Sequence, residues 1–170
     1  MHGLQRAKEG RPQAIKRNQL RRITLRSARK ADAKVFLSLV DALADFEKLR
    51  RPTKAARGRL VRDGFGRRRR FDPFLACTEG KPVGYAIIFE TYSSFLAKPT
   101  LYLEDIFILP EYRGKGIGLK LFRYCVAEAK RRSCGRMEWA VLDWNRNAIR
   151  FYDMYGAKQM EDWLLYRLVL

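Results

Sequence analysis

The sequence predicts a mixed α/β fold, one central sheet of about six to seven strands flanked by helices. Two observations carry this. The apolar period switches repeatedly between two and three-to-four, in the order strand, two helices, three strands, helix, strand, helix, strand. No internal repeat and no linker divides the 170 residues, a length that suits a single core.

Residues 1–20 are basic, polar and aperiodic, and read as a flexible arm ahead of one domain over 21–170. Ile23-Thr24-Leu25-Arg26 alternates as a first strand. From Lys30 to Lys48, Val35, Phe36, Leu39, Val40, Leu43 and Phe46 recur at helical spacing. Pro52-Thr53 opens a second, basic helix that ends near Gly64. Phe74–Cys77 is a strand, and Gly80-Lys81-Pro82 a turn. Val83–Tyr92 and Leu101–Leu109 are long strands, the second stopped by Pro110. Residues 117–130 place Leu121, Phe122, Cys125, Val126 and Ala129 on one helical face. Met137–Leu142 reads as a strand, Asn147–Tyr155 as a short helix, and Trp163–Val169 as a last strand.

Composition narrows the chemistry. The single histidine, His2, leaves no His-based metal site and no Ser-His-Asp triad. The three cysteines, Cys77, Cys125 and Cys134, form neither a CxxC pair nor a disulfide framework. No histidine is at hand to activate them as nucleophiles. No apolar run approaches the ~20 residues of a membrane span, and the N-terminus has no secretory h-region. A cytoplasmic protein without a membrane partner is expected. The net charge of +18 attracts polyanions. The excess lies before residue 31 and between Lys48 and Arg70, whereas Lys81–Asp105 is nearly neutral.

Arg113-Gly114-Lys115-Gly116-Ile117-Gly118 joins a strand to a helix. Its glycines let the backbone bend and approach a ligand closely. The first N–H groups of the new helix lack intrahelical partners and, with the helix dipole, form an anion site. Arg113 and Lys115 add positive charge. The spacing fits neither the dinucleotide fingerprint nor a P-loop. Taken alone, the segment is a phosphate cradle or simply a tight turn.

The run Leu103–Gly118, with Glu104, Asp105 and the Arg-x-x-Gly-x-Gly turn, resembles motif A of the GNAT superfamily of N-acetyltransferases. Val141–Tyr152 resembles its motif B. The similarity is nearest the diamine acetyltransferases, the spermidine/spermine and thialysine enzymes, and covers roughly residues 22–169. It extends through Phe89–Phe95 and Asp63–Gly66. It implies a GNAT fold with a splayed strand pair around an acetyl-CoA site, a homodimer, and no metal. The resemblance implies that acetyl-CoA rests its pyrophosphate on Arg113, Gly114, Lys115, Gly116, Ile117, Gly118 and Leu119. Its pantetheine would lie along Ile106, Phe107 and Ile108. Asn145, Arg146, Asn147 and Ala148 match cofactor-contacting positions. Glu104 matches the proposed base, acting directly or through water, and Tyr152 the general acid. A phenol of pKa ~10 suits a nascent thiolate of similar basicity.

Adjacent carboxylates on a strand point to opposite faces, so one of Glu104 and Asp105 is expected to face substrate and the other a structural partner. Glu104, Asp105, Glu138, Trp139, Ala140 and, more loosely, Glu161 match acceptor-side positions, as does the loop of Phe95. Ser93 and Phe95 stand where the spermidine/spermine enzymes carry Asp and Trp, whereas the thialysine branch carries Ser at the first. The expected acceptor is a diamine, a polyamine or a lysine-like amino acid; protein lysine or N-terminal amines are the alternative. A rival of another class is a basic nucleic-acid-associated binding protein on an acetyltransferase scaffold. The arm and Arg67–Arg70 would give it weak, nonspecific nucleic-acid contact.

Overall fold

The computed structural model describes residues 23–170. The basic arm expected over 1–20 lies outside them. The chain forms two compact units, one ending at Glu138 and one spanning Trp139–Leu170.

The first unit is built on a five-stranded sheet in sequential order. Its strands are β1 (Ile23–Ser27), β2 (Asp72–Thr78), β3 (Lys81–Ser93), β4 (Lys98–Ile108) and β5 (Arg136–Glu138). The first four pair antiparallel, and β5 joins β4 in parallel. Helix α1 (Ala33–Phe46) follows a 3-10 turn at Lys30–Asp32, and α2 (Lys54–Phe65) follows it. Helix α3 (Ile117–Arg131) follows a second 3-10 turn at Pro110–Tyr112. In the second unit α4 spans Arg146–Met154.

Each start has a local cause. Asp32 accepts the Arg29 N–H at 2.7 Å and pairs with Arg26 of β1, locking the entry to α1. Thr53 caps α2 by accepting the Ala56 N–H at 3.2 Å. The Asn145 side chain caps α4 through the Ala148 N–H at 3.2 Å. No side chain caps α3.

One face of the sheet carries Leu75, Cys77, Tyr85, Ile87 and Phe107, packed on Phe36, Leu39 and Phe65 of the first two helices. Phe36 meets Phe65 and Tyr85 edge-on, each with ring centroids 5.4 Å apart. The other face receives α3, where Phe74 lies against Tyr124 and Leu121 and Cys125 are wholly buried. Arg132, just past α3, pairs with Asp72 of β2 and Glu90 of β3, at 2.8 and 3.2 Å.

The strand count corrects the expectation of six to seven. Met137–Leu142 is strand only as far as Glu138, where its ladder with β4 ends at Tyr102. Trp163–Val169 forms no strand, and its large side chains are exposed. That segment carries strand-forming residues, but a strand also needs a partner to receive its N–H and C=O groups. None of the five strands provides one.

Gly84 sits opposite Ile108 in the β3–β4 ladder. A Cβ there would stand 2.5 Å from the Phe107 carbonyl oxygen and against the Ile108 side chain. Gly84→Ala therefore costs about 1–3 kcal/mol of unfolding free energy, read by urea denaturation. An unchanged midpoint would contradict this packing.

Candidate acetyl-transfer site

The site begins where the sheet opens. Strand β5 pairs with β4 only from Thr100 to Tyr102. Beyond that point no strand of the sheet covers this edge of β4, and Leu103–Ile108 present backbone groups along it. The opening agrees with the splayed strand pair expected of the fold. A bulge marks the same place. Ile87 pairs with Asp105 and Ile88 with Leu103, so Glu104 is the extra residue on β4. The bulge changes the pleat's alternation. Leu101 and Leu103 are buried before it, and Phe107 joins the Tyr85 face after it.

Glu104 is exposed on the bulge. Asp105 turns inward and accepts the Tyr85 hydroxyl at 2.9 Å. Burial is the main force lifting the Asp105 carboxyl from 3.8 to about 6; the Tyr85 hydrogen bond opposes it, and Glu104 and Glu47 reinforce it. Burial, with Asp105 beside it, pushes the Tyr85 phenol far up, so Tyr85 stays a donor. Burial likewise raises the Glu47 carboxyl, at the end of α1. Tyr102 is raised first by burial, then by Glu104 and Glu138. Glu104 thus acts on both Tyr102 and Asp105, Glu47 on Asp105 and Glu138 on Tyr102, which sets four carboxyls along β4 on either side of its bulge. Glu138 also pairs with Arg136 at 2.9 Å.

At the far end of β4, Gly114 and Gly116 take φ of 72° and 78° in the turn that opens α3. A Cβ on Gly114 would meet nothing within 4 Å, and one on Gly118 only Ile108 at 3.8 Å. Gly114 thus has open space beside it, and the N–H groups of Ile117, Gly118 and Leu119 start a helix with no side-chain cap among the described residues. An uncapped helix start of this kind fits a phosphate group, and the open β4 edge fits an extended amide chain beside it.

The flanking cations are held by the chain itself. Arg113 donates Nε to the Ile108 carbonyl at 2.9 Å, and its guanidinium lies 4.3 Å from the Phe46 ring centroid and 5.3 Å from that of Phe107. Lys115 reaches back to the Glu111 carbonyl at 2.9 Å and stands over Tyr112. Each head keeps N–H groups that these bonds do not use, beside the backbone amides of the turn.

Phe95 is not brought to this place. It is 96% exposed at the tip of the β3–β4 hairpin, and β4 runs six positions from Lys98, next to that tip, to Glu104. That separation is on the order of 20 Å along the strand. Ser93 stabilises the tip by accepting the Leu96 N–H at 3.2 Å.

In the second unit, Tyr152 is buried, with its ring 4.9 Å from Trp139 and 5.4 Å from Phe151. Asn145 and Ala148 form the α4 cap, and Asn147 accepts from Arg150 at 2.9 Å. Arg146, Ala140 and Glu161 are exposed.

Burial pushes the Cys125 thiol up to about 12, and lifts Cys77 and Cys134 as well. Thiols so raised are poor nucleophiles at neutral pH. Among the described residues no group of three or more His, Cys, Asp or Glu could hold a metal.

Sequence reasoning missed Tyr85 and Glu47. Tyr85 lies 20 positions from Asp105, and only the β3–β4 register joins them. A tyrosine in an otherwise apolar buried strand was the available signal.

The Asp105 shift has a defined sign. The folded carboxyl keeps its proton to about pH 6, whereas an unfolded one releases it near 3.8. Its stabilising effect is complete below pH 4 and is lost as pH rises through 6. Asp105→Asn therefore gains unfolding free energy relative to the parent by about 2 kcal/mol between pH 4 and pH 7. A pH-independent difference in urea denaturation would contradict the burial of this carboxyl.

Residues 38–157 match the Acetyltransferase (GNAT) family. A thialysine N-epsilon-acetyltransferase of Mus musculus is 34% identical over 158 residues, covering 84% of this chain and 90% of that protein. An L-ornithine N5-acetyltransferase of Arabidopsis thaliana is 46% identical over 85 residues, which cover 50% of this chain and 37% of that protein. The structure of an aminoglycoside N-acetyltransferase in complex with CoA has a TM-score of 0.71 at 19% identity, covering 86% of this chain and 94% of that one. That likeness concerns the fold. The open edge of β4, the uncapped turn after it and this family match agree, and the chain belongs to the GNAT acetyltransferase family.

Proposed function

We propose that this acetyltransferase moves the acetyl group of acetyl-CoA directly to a small primary amine, a diamine, polyamine or lysine-like amino acid. The observation that carries this reading is the set of four carboxyls, Glu47, Glu104, Asp105 and Glu138, along β4 on either side of its bulge, on a chain of net charge +18. Carboxyls concentrated against such a background suit an ammonium group. The similarity to thialysine and ornithine acetyltransferases supports the same class of acceptor.

GNAT acetyltransferases use acetyl-CoA, which when bound supplies an activated thioester. The residues here would act around it as follows. Amides of Gly116–Leu119 hold phosphate oxygens. Ile106, Phe107 and Ile108 offer backbone groups along the open edge, where a donor stabilises charge developing on the acyl oxygen. Glu104, exposed on its bulge, takes a proton from the arriving ammonium, directly or through water. Asp105, fixed by Tyr85, shapes the acidic wall behind it. Tyr152 supplies a proton to the leaving sulfur. The acceptor amine attacks without a covalent enzyme intermediate.

A thiol-release assay over polyamines, thialysine, ornithine, lysine and basic peptides tests this. Release with small amines and little with peptides is expected. Glu104→Gln lowers kcat by about a hundredfold or more and alters the acidic limb of the pH profile, the side on which protonating a base costs rate. Tyr152→Phe lowers kcat by a similar factor. No release with any amine would overturn the reading, and an unaltered pH profile in Glu104→Gln would overturn the assigned base.

A further inference from the structure

The acetyl-transfer geometry does not use the strongest charge feature of the described chain. From Lys48 to Arg70 every ionisable side chain is Lys or Arg except Asp63. Some of these cations are structural. Arg57 forks onto Asp41 with two bonds, Arg51 pairs with Asp45, and Arg62 with Asp63. Lys48, Arg50, Lys54, Arg59 and the run Arg67–Arg70 are exposed and make no side-chain ion pair or hydrogen bond among the described residues.

The free cations of α2 and the arginine run form one surface. The Arg70 N–H donates to the Asp63 carbonyl at 2.8 Å, so the run doubles back on the last turn of α2. Phe71 then packs on Gly64 so closely that a Cβ there would stand 2.6 Å from its ring. These contacts anchor the end of the run to the helix that carries Lys54 and Arg59, and the Gly66 N–H, donating to the Arg62 carbonyl at 2.9 Å, fixes its start. Along α2, exposed Ala55 and Gly58 keep the surface low between those two cations. Four consecutive arginines beside further cations repel one another, and a bound polyanion relieves that repulsion.

The chemistry selects the polyanion. The free cations are mostly arginine, whose planar fork matches phosphate oxygens. The segment exposes no aromatic ring, because its one aromatic, Phe65, is buried. A stacking platform for single-stranded bases is therefore missing from it. What remains is sequence-blind contact with a phosphodiester backbone. The surface is carried by α2, on the Tyr85 face of the sheet, and the run after it, whereas the turn at Gly116 opens α3 on the other face.

We propose that α2 and the Arg67–Arg70 run form a docking surface for the phosphate backbone of double-stranded nucleic acid, separate from the acetyl-transfer site. The test uses the full chain and fluorescence anisotropy with 20-base-pair DNA and RNA duplexes over a salt series. If about five cations engage, the plot of log affinity against log salt has a slope of about −4 to −5. Replacing Arg67–Arg70 together by Gln is expected to weaken binding at least tenfold and flatten the slope by about 2 to 4 units. Lys54→Glu with Arg59→Glu, which leaves the run intact, is expected to weaken binding by a comparable factor. Thiol release with small amines stays at the parental rate in both variants, which checks their folding and separates this proposal from the acetyl-transfer reading. The proposal is overturned if the parent does not bind duplexes at low salt. It is also overturned if both variants keep the parental slope, or if the parent binds vesicles of anionic phospholipid but not the duplexes.

Discussion

The parting of β5 from β4 after Tyr102 is the constraint on which the rest of this structure depends. A sheet normally satisfies both edges of an interior strand. Here β4 is paired along its whole length with β3 but with β5 over three residues only. Its remaining edge is a row of backbone groups that the sheet leaves open. Backbone donors and acceptors in a shielded place need partners. A ligand shaped like a strand would supply them, and under the proposed function the uncapped turn of α3 seats the anionic end of such a ligand. The bulge at Glu104 lies just beyond the parting. It lifts one carboxylate to the surface while Asp105 stays bound to Tyr85.

Electrostatics divides the molecule in the same way. The chain is strongly basic, yet the cations nearest the opening are spent on structure. Arg113 lies against the rings of Phe46 and Phe107 and braces the Ile108 carbonyl. Arg132 ties the end of α3 to β2 and β3. With those charges engaged, the carboxyls of Glu47, Glu104, Asp105 and Glu138 set the local field. Among the described residues, the densest run of cations without a side-chain ion pair lies instead on α2 and the segment that follows it.

Much of this was legible in the sequence, for physical reasons that also explain the gaps. Period-two and period-3.6 patterns placed β1 through β4 and all four helices within a few residues, because burial of one face dictates each pattern. The glycines of residues 114–118 announced a tight turn, and the structure has it, with positive φ at Gly114 and Gly116. The strands near the C-terminus failed differently. Met137–Leu142 and Trp163–Val169 carry the right residues, but strand formation depends on a partner that composition does not encode. The bulge was invisible for the same reason, since it exists only in the register between Ile87 and Asp105. The Tyr85–Asp105 bond follows from that register. Phe95 was assigned to the acceptor side by its neighbours in sequence, yet the hairpin carries it to a distant exposed tip.

Amide hydrogen exchange with and without CoA tests the central claim most directly, because it reads the backbone groups themselves. The account predicts slowed exchange at Gly116–Leu119 and along Ile106–Ile108 on adding CoA, with the amides of α2 unchanged. Saturating CoA that left the β4 edge and the α3 turn exchanging at their free rates would contradict it.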